Sequence, residues 1–287
     1  MATENCRCAA NFSSLWWSRH IRNIVITGAS SGLGAALARE YAAPGVSLAL
    51  IGRDLARLDR VAADSRQKGA KVWTAAIDVR DRAALGAFLL ECDASAPLDG
   101  LILCAGVTSV TPSPGEVEDL DGAAELFDVN LGGAINAMAP IAPLMRRRRA
   151  GRIALFGSIA AFAPPPDCPS YAASKAALVA FGLATRTLYQ ADNVSVSVVC
   201  PGFVDTPMTS SYVSWKPFLV SSEKAARLIR RGLDRRKAII AFPWPLYFAA
   251  RLQQFLPQGV GARVLLRHRA FAAGGTGLKA DPRTIDS

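Results

Sequence analysis

From Asn23 onward, short uninterrupted apolar runs alternate with longer stretches of mixed polarity. Ile24-Val25-Ile26 is β-branched and stops at Thr27-Gly28; Ala35 to Glu40 behind it is rich in helix formers. Strand, glycine turn and helix open a βαβ unit. The alternation then recurs: strands at 46–51, 71–77, 101–104, 152–156 and 195–200, with helices at 54–68, 81–94, 117–145 and 171–190. Ser221-Ser222-Glu223 reads as another helix start, and 237–243 as the last strand. Strands that are apolar throughout, separated by helices, predict a parallel sheet covered on both faces, an α/β doubly wound Rossmann fold with right-handed crossovers. Nothing between 22 and 243 reads as a linker. The expected organisation is an arm over 1–21, one domain over 22–243 and an extension over 244–287.

Composition fits a large buried core: 51% of the 287 residues are apolar and 20% charged, which excludes disorder for the bulk. No apolar run reaches the roughly 20 residues that span a bilayer. The N-terminus has Glu4 early and no apolar segment of the secretory kind. Cys6, Cys8, Cys92, Cys104, Cys168 and Cys200 contain no C-x-x-C pair, and His20 and His268 are far apart. Reduced thiols in a cytoplasmic protein, without a metal site, are the expectation.

Two motifs carry chemistry. Thr27-Gly28-Ala29-Ser30-Ser31-Gly32-Leu33-Gly34 follows a strand and opens a helix. Such glycines let the chain turn and let backbone approach a pyrophosphate, which meets the N–H groups of the helix start. A tight turn without ligand would look the same. Tyr171-Ala172-Ala173-Ser174-Lys175 puts a phenol and an ammonium at i and i+4, on one helix face. A nearby ammonium favours phenolate, so the pair makes a tuned acid or base.

In this order, on this layout, the two motifs resemble the short-chain dehydrogenase/reductase family, over about residues 22–243. Ser158, 13 residues before Tyr171 at the end of a strand, stands at the family's catalytic serine. Asn130, in Asp128-Val129-Asn130-Leu131-Gly132, stands at its catalytic asparagine. Asp78-Val79 matches the pair that meets the adenine, and Pro201-Gly202-Phe203-Val204-Asp205-Thr206 the segment that holds the nicotinamide amide. The resemblance implies hydride transfer between a nicotinamide cofactor and a carbonyl or alcohol. Tyr171 would be the general acid/base and Ser158 would hydrogen-bond the carbonyl. Lys175 would bind the ribose and lower the Tyr171 pKa, and Asn130 would hold a water that links Lys175 to solvent. The implied cofactor contacts are Gly28, Ser30, Ser31, Gly32, Leu33, Gly34, Arg53, Asp78, Val79, Cys104, Ala105, Gly106, Tyr171, Lys175, Pro201, Gly202, Val204 and Thr206. One departure stands out: Leu103-Cys104-Ala105-Gly106 replaces the family's Asn-Asn-Ala-Gly, so amides that brace neighbouring strands are missing. The family's habit implies a homodimer or homotetramer, paired through the helices that carry Asn130 and Tyr171.

The second strand ends Gly52-Arg53-Asp54. An acid at the strand tip would select NAD(H) through the ribose 2′-hydroxyl. Arg53 can instead pair with a 2′-phosphate, and Asp54 reads as the cap of the next helix. NADP(H) is therefore expected over NAD(H).

Charge changes the picture only near the end. The net charge is +10, and residues 217–287 hold 13 basic against 4 acidic side chains. Residues 207–220 read as an apolar, aromatic substrate loop. A helix over 244–256 would mix Arg251 with Trp244, Phe248 and Phe255 on one face. Packing on the protein or a sister subunit, a lid over the site, and a membrane-surface contact all suit that composition. Nucleic acid is rejected, because no recognition motif accompanies the charge. Arg146-Arg147-Arg148-Arg149 reads as a solvated helix end, with phosphate binding as the alternative. The rival functions are a peripheral membrane reductase of lipid or surface-polysaccharide precursors and a non-catalytic dinucleotide-binding subunit. Phe156-Gly157-Ser158-Ile159-Ala160 is not an esterase nucleophile elbow.

Overall fold

The computed structural model describes residues 21–109, 118, 120–213, 215–257 and 271–272. Of the expected arm, residues 1–20 with Cys6, Cys8, Trp16 and Trp17 lie outside the described residues, as do 258–270 and 273–287 of the basic extension. Seven parallel strands form one sheet. They are β1 (Asn23–Thr27), β2 (Ser47–Gly52), β3 (Lys71–Ala76), β4 (Gly100–Leu103), β5 (Gly151–Phe156), β6 (Val194–Pro201) and a late strand at Ile239–Phe242. Their order across the sheet is the late strand, β6, β5, β4, β1, β2, β3. The chain reverses its direction of travel between β1 and β4, which opens a crevice at their carboxyl ends.

The apolar runs account for the layers. Side chains alternate along a strand, so Ile24, Ile26, Leu48 and Leu50 face one side and Val25, Ala49 and Ile51 the other. The first side is covered by α1 (Gly32–Tyr41), α2 (Leu55–Gln67) and, late in the chain, a helix at Ser222–Asp234. The second is covered by α3 (Arg82–Ser95), the helix at Gly133–Arg148 and the helix at Pro169–Tyr189. Asp54 caps α2 by accepting the Arg57 N–H at 3.0 Å, and Asp81 caps α3 through the Ala84 N–H at 3.0 Å.

The long helix expected over 117–145 divides. Residues 110–117 and 119 are outside the described residues. Then come α4 (Leu120–Phe127), a π turn (Asp128–Gly132) and α5 (Gly133–Arg148). The small residues have a packing reason: a Cβ on Gly133 would lie 2.5 Å from Val79 Cγ2. The arginine run is in part the solvated end expected, with Arg147 and Arg149 exposed, but it is also tied down. Arg146 to Arg148 close α5, and Arg149 leaves it at φ 53°. Arg148 holds both oxygens of Asp93 at 2.7 and 2.8 Å, Arg146 pairs with Asp192, and Arg149 donates to the Ala191 carbonyl. Three of the four cations therefore tie the helix end to its neighbours.

After α6 (Pro169–Tyr189) and β6, the chain makes three short strands around a short helix: β7 (Val204–Asp205), α7 (Pro207–Ser210), β8 (Tyr212–Val213) and β9 (Val220–Ser221). Then follow α8 (Ser222–Asp234), β10 (Ile239–Phe242), α9 (Trp244–Gln253) and β11 (Phe271–Ala272), which pairs antiparallel with β8. No described helix is long and apolar enough to cross a membrane.

Candidate functional site

A cleft of about 670 Å³ runs along the carboxyl ends of the strands. All the cofactor contacts expected from the sequence line it, as do Ser158, Tyr171 and Lys175. Asn130 does not line it; Val129 beside it does.

The glycine turn forms one end. Gly28 has φ +68°, and a Cβ there would sit 2.7 Å from Ala105 Cα. A Cβ on Gly34 would sit 2.2 Å from the Gly28 carbonyl oxygen. The turn is thus pressed against both the loop after β4 and its own helix, and the first turn of α1 presents backbone N–H groups to the cleft. The missing asparagines are partly compensated. Thr27 Oγ1 accepts the Ala105 N–H at 3.2 Å, which ties the end of β1 to the loop after β4. Cys104 is a neutral thiol, pushed up to about 12 by burial.

At the tip of β2, Gly52 is closely packed: a Cβ there would lie 3.2 Å from Ser30 Oγ, tight enough that Ser30 would have to shift by a few tenths of an ångström. Arg53 is exposed and lines the cleft. Asp54 is turned to its capping bond and to Arg57 Nε at 3.1 Å. Asp78 is held below the usual carboxylate range, chiefly by hydrogen bonds from the Arg80 side chain.

The catalytic candidates converge from three elements. Ser158 stands where β5 has ended, and its Oγ accepts the Ala160 N–H at 3.1 Å, capping a short 3-10 turn. Tyr171 and Lys175 come from the first turns of α6. Lys175 is buried. Its Nζ donates to the Phe156 carbonyl at 2.9 Å and lies 5.6 Å from the Tyr171 ring centre. Burial pulls its pKa down to about 8. Asn130 sits in the π turn and is buried. Its side chain is fully engaged: Oδ1 accepts the Val107 N–H at 2.8 Å, and Nδ2 donates to the Val107 carbonyl and to Ser174 Oγ, each at 3.0 Å. Ser174 Oγ in turn donates to the Tyr171 carbonyl at 2.8 Å. Asn130 therefore braces the loop after β4 and the helix that carries Tyr171.

Two further contributors shape the site: Glu118, which was not foreseen, and α9, whose place the sequence left open. Glu118 is buried, takes the Ser109 hydroxyl, and accepts the Ser170 N–H at 2.9 Å at the start of α6. Its position near the start of the helix expected over 117–145 carried no sign of this role. Helix α9 supplies Leu246, Ala249, Ala250 and Gln253 to the cleft wall. It is fixed by an edge-to-face contact of Tyr247 with Phe162 at 5.3 Å and by Arg251 over the Phe162 ring at 5.2 Å. Of the fates open to the C-terminal extension, α9 takes that of a wall over the site. Trp244 and Phe248 of α9, and Phe255 just beyond its end, are exposed.

The donor set fits a dinucleotide: a helix N-terminus behind glycines for a pyrophosphate, a cation at the β2 tip, and a buried ammonium beside a phenol at the far end. Comparison with known proteins agrees with that fit. Residues 22–217 match the family model for short chain dehydrogenase. The chain is 35% identical over 188 residues to sulfoacetaldehyde reductase 2 of Chromohalobacter salexigens, covering 65% of this chain and 74% of that one. Among solved structures, a short-chain dehydrogenase from Sphingobium yanoikuyae in complex with NADPH superposes with a TM-score of 0.67 at 26% identity, over 82% of this chain and 96% of that one. A short chain dehydrogenase from Mycobacterium paratuberculosis bound to NAD gives 0.67 at 21% identity, over 77% and 95%, a likeness of fold alone.

Proposed function

The chain belongs to the short-chain dehydrogenase family and is an NAD(P)-dependent oxidoreductase, and we propose that it uses NADP(H), with Tyr171 as general acid/base, to interconvert a carbonyl and an alcohol. The observation that carries this reading is the meeting of Ser158, Tyr171 and Lys175 in one cleft with the glycine turn and Arg53. A cofactor bound there supplies the hydride. The protein's part is to orient and to move a proton. Tyr171 Oη gives its proton to the carbonyl oxygen as charge builds on it, and Ser158 Oγ donates a hydrogen bond to the same oxygen. Lys175 stabilises the phenolate left on Tyr171. Asn130 positions this pair through Ser174 and holds the loop around Val107.

The preference for NADP(H) is supported by the β2 tip. Glycine rather than an acid stands at that tip, Asp54 is committed to α2, and Arg53 lines the cleft. A charge-assisted hydrogen bond to phosphate contributes about 1.5–3 kcal/mol. Arg53→Ala is expected to weaken NADPH binding by about tenfold to a hundredfold, while NADH changes by less than threefold. Fluorescence titration reads both. Equal losses for the two cofactors would sink the 2′-phosphate reading. Self-association through α5 and α6 belongs to the same proposal, supported by exposed Ile135 and Leu188 on those helices; light scattering tests it. Contact with a membrane surface is a second reading, favoured by the exposure of Trp244, Phe248 and Phe255. Co-sedimentation with anionic vesicles at low salt tests that one.

A further inference from the structure

The cleft changes character along its length. Its charged lining groups, Arg53, Asp78 and Lys175, all belong to the end assigned to the cofactor. Beyond Ser158 and Tyr171 the described lining is apolar or neutral. Ile159, Ala163 and Pro165 line it together with Leu246, Ala249 and Ala250 of α9; Ile159, Ala163, Leu246 and Ala250 pack in one apolar cluster. No charged side chain lines this part among the described residues. The nearby cations are engaged elsewhere: Arg251 is stacked over Phe162, and Lys216 donates to the Thr209 carbonyl at 2.7 Å. The apolar surface does not stop at the mouth. It continues onto exposed Trp215, Leu252 and Leu256, which also line the cleft.

Resting on the oxidoreductase reading above, we propose that the substrate is a neutral carbonyl compound with a large apolar body, aliphatic or polycyclic, laid along α9, and that Leu246, Ala249 and Ala250 set the size of that body. The physical grounds are desolvation on both sides. A small carbonyl compound would leave most of this apolar lining in water and gain nothing from it, whereas each methylene removed from water favours binding about fourfold. A substrate carrying a carboxylate, sulfonate or phosphate at the far end would lose its hydration with no cation to replace it. Helix α9 is a firm wall: Ala250 is buried, and Leu246 approaches so closely that a Cβ on Gly202 would lie 3.0 Å from its Cδ2.

The test uses the full chain with NADPH and a set of ketones: 2-butanone to 2-decanone, a bicyclic ketone, and a keto acid matched in length to 2-decanone. The matching alcohols are run with NADP+. We expect kcat/KM to climb by about threefold to fourfold per methylene over the first several carbons. The keto acid should fall at least a hundredfold below its neutral counterpart. Ala249→Phe narrows the cleft from an exposed helix position, and should cut the decanone-to-butanone ratio of kcat/KM at least tenfold, with NADPH affinity as the check on folding. Turnover with a flat profile, preference for the keto acid, or an unmoved ratio in Ala249→Phe overturns this inference alone. NADPH binding without turnover of any ketone or alcohol overturns the reductase reading, and this inference with it.

Discussion

Lys175 should cost the empty protein stability, and the cost should depend on pH. The ammonium is buried, with the Phe156 carbonyl as hydrogen-bond acceptor, and burial brings its pKa from 10.5 to about 8. Between those two values the unfolded chain holds a proton that the folded protein has released. The unfolded state therefore binds more protons, and stability rises with pH across that window. Below about pH 8 the full penalty applies. A fall from 10.5 to about 8 corresponds to a penalty on the order of 3 kcal/mol. Lys175→Met keeps most of the volume and removes the charge. It also leaves the Phe156 carbonyl without this donor, at a cost of about 1–2 kcal/mol that does not vary with pH. At pH 7 the variant without cofactor should thus be at least as stable as wild type, while its kcat falls by a hundredfold or more. Urea unfolding of both proteins at pH 7, 8, 9 and 10 reads the difference, in which the other titrating groups cancel. The variant's advantage should shrink by roughly 2–3 kcal/mol between pH 7 and pH 10. A difference constant to within about 0.5 kcal/mol would refute the argument that burial suppresses the charge.

Gly34→Ala should cost about 3 kcal/mol and weaken cofactor binding, because its Cβ would lie 2.2 Å from the Gly28 carbonyl oxygen; an unchanged melting temperature would show that the turn relaxes freely. Arg148→Ala should cost about 3 kcal/mol in urea unfolding, since Asp93, with a side chain only 9% exposed, loses both hydrogen bonds. Asp54→Ala should cost about 1 kcal/mol as a lost helix cap and leave the NADPH-to-NADH affinity ratio within twofold; a tenfold swing would mean that Asp54 reads the ribose after all.

The architecture is legible in the chain alone. Short apolar runs such as 24–26 and 101–104 read as strands buried on both faces, and the helices between them impose parallel crossovers. Much of both ends of the cofactor cleft is legible too, because the glycine turn and the Tyr171–Lys175 spacing are local. Glycine approach and helix pitch act within about eight residues, and a chain records them in order. Asp54 was legible as a cap for the same reason. Other features depend on which elements the fold brings together. Asn130 is visible in sequence, yet its bonds to Val107 and Ser174 need α6 laid beside the π turn. Glu118 braces Ser170, 52 residues away. The arginines closing α5 find Asp93 and Asp192 only once α3 and the end of α6 are packed beside them. Helix α9 is the clearest case. Its aromatic and apolar residues fall on both faces, so hydrophobicity could not say which face turns inward. The ring of Phe162 decides it, through Tyr247 and Arg251. The depressed pKa of Lys175 likewise belongs to no sequence neighbour: it arises from desolvation between β5 and α6, and desolvation is a property of the packed protein.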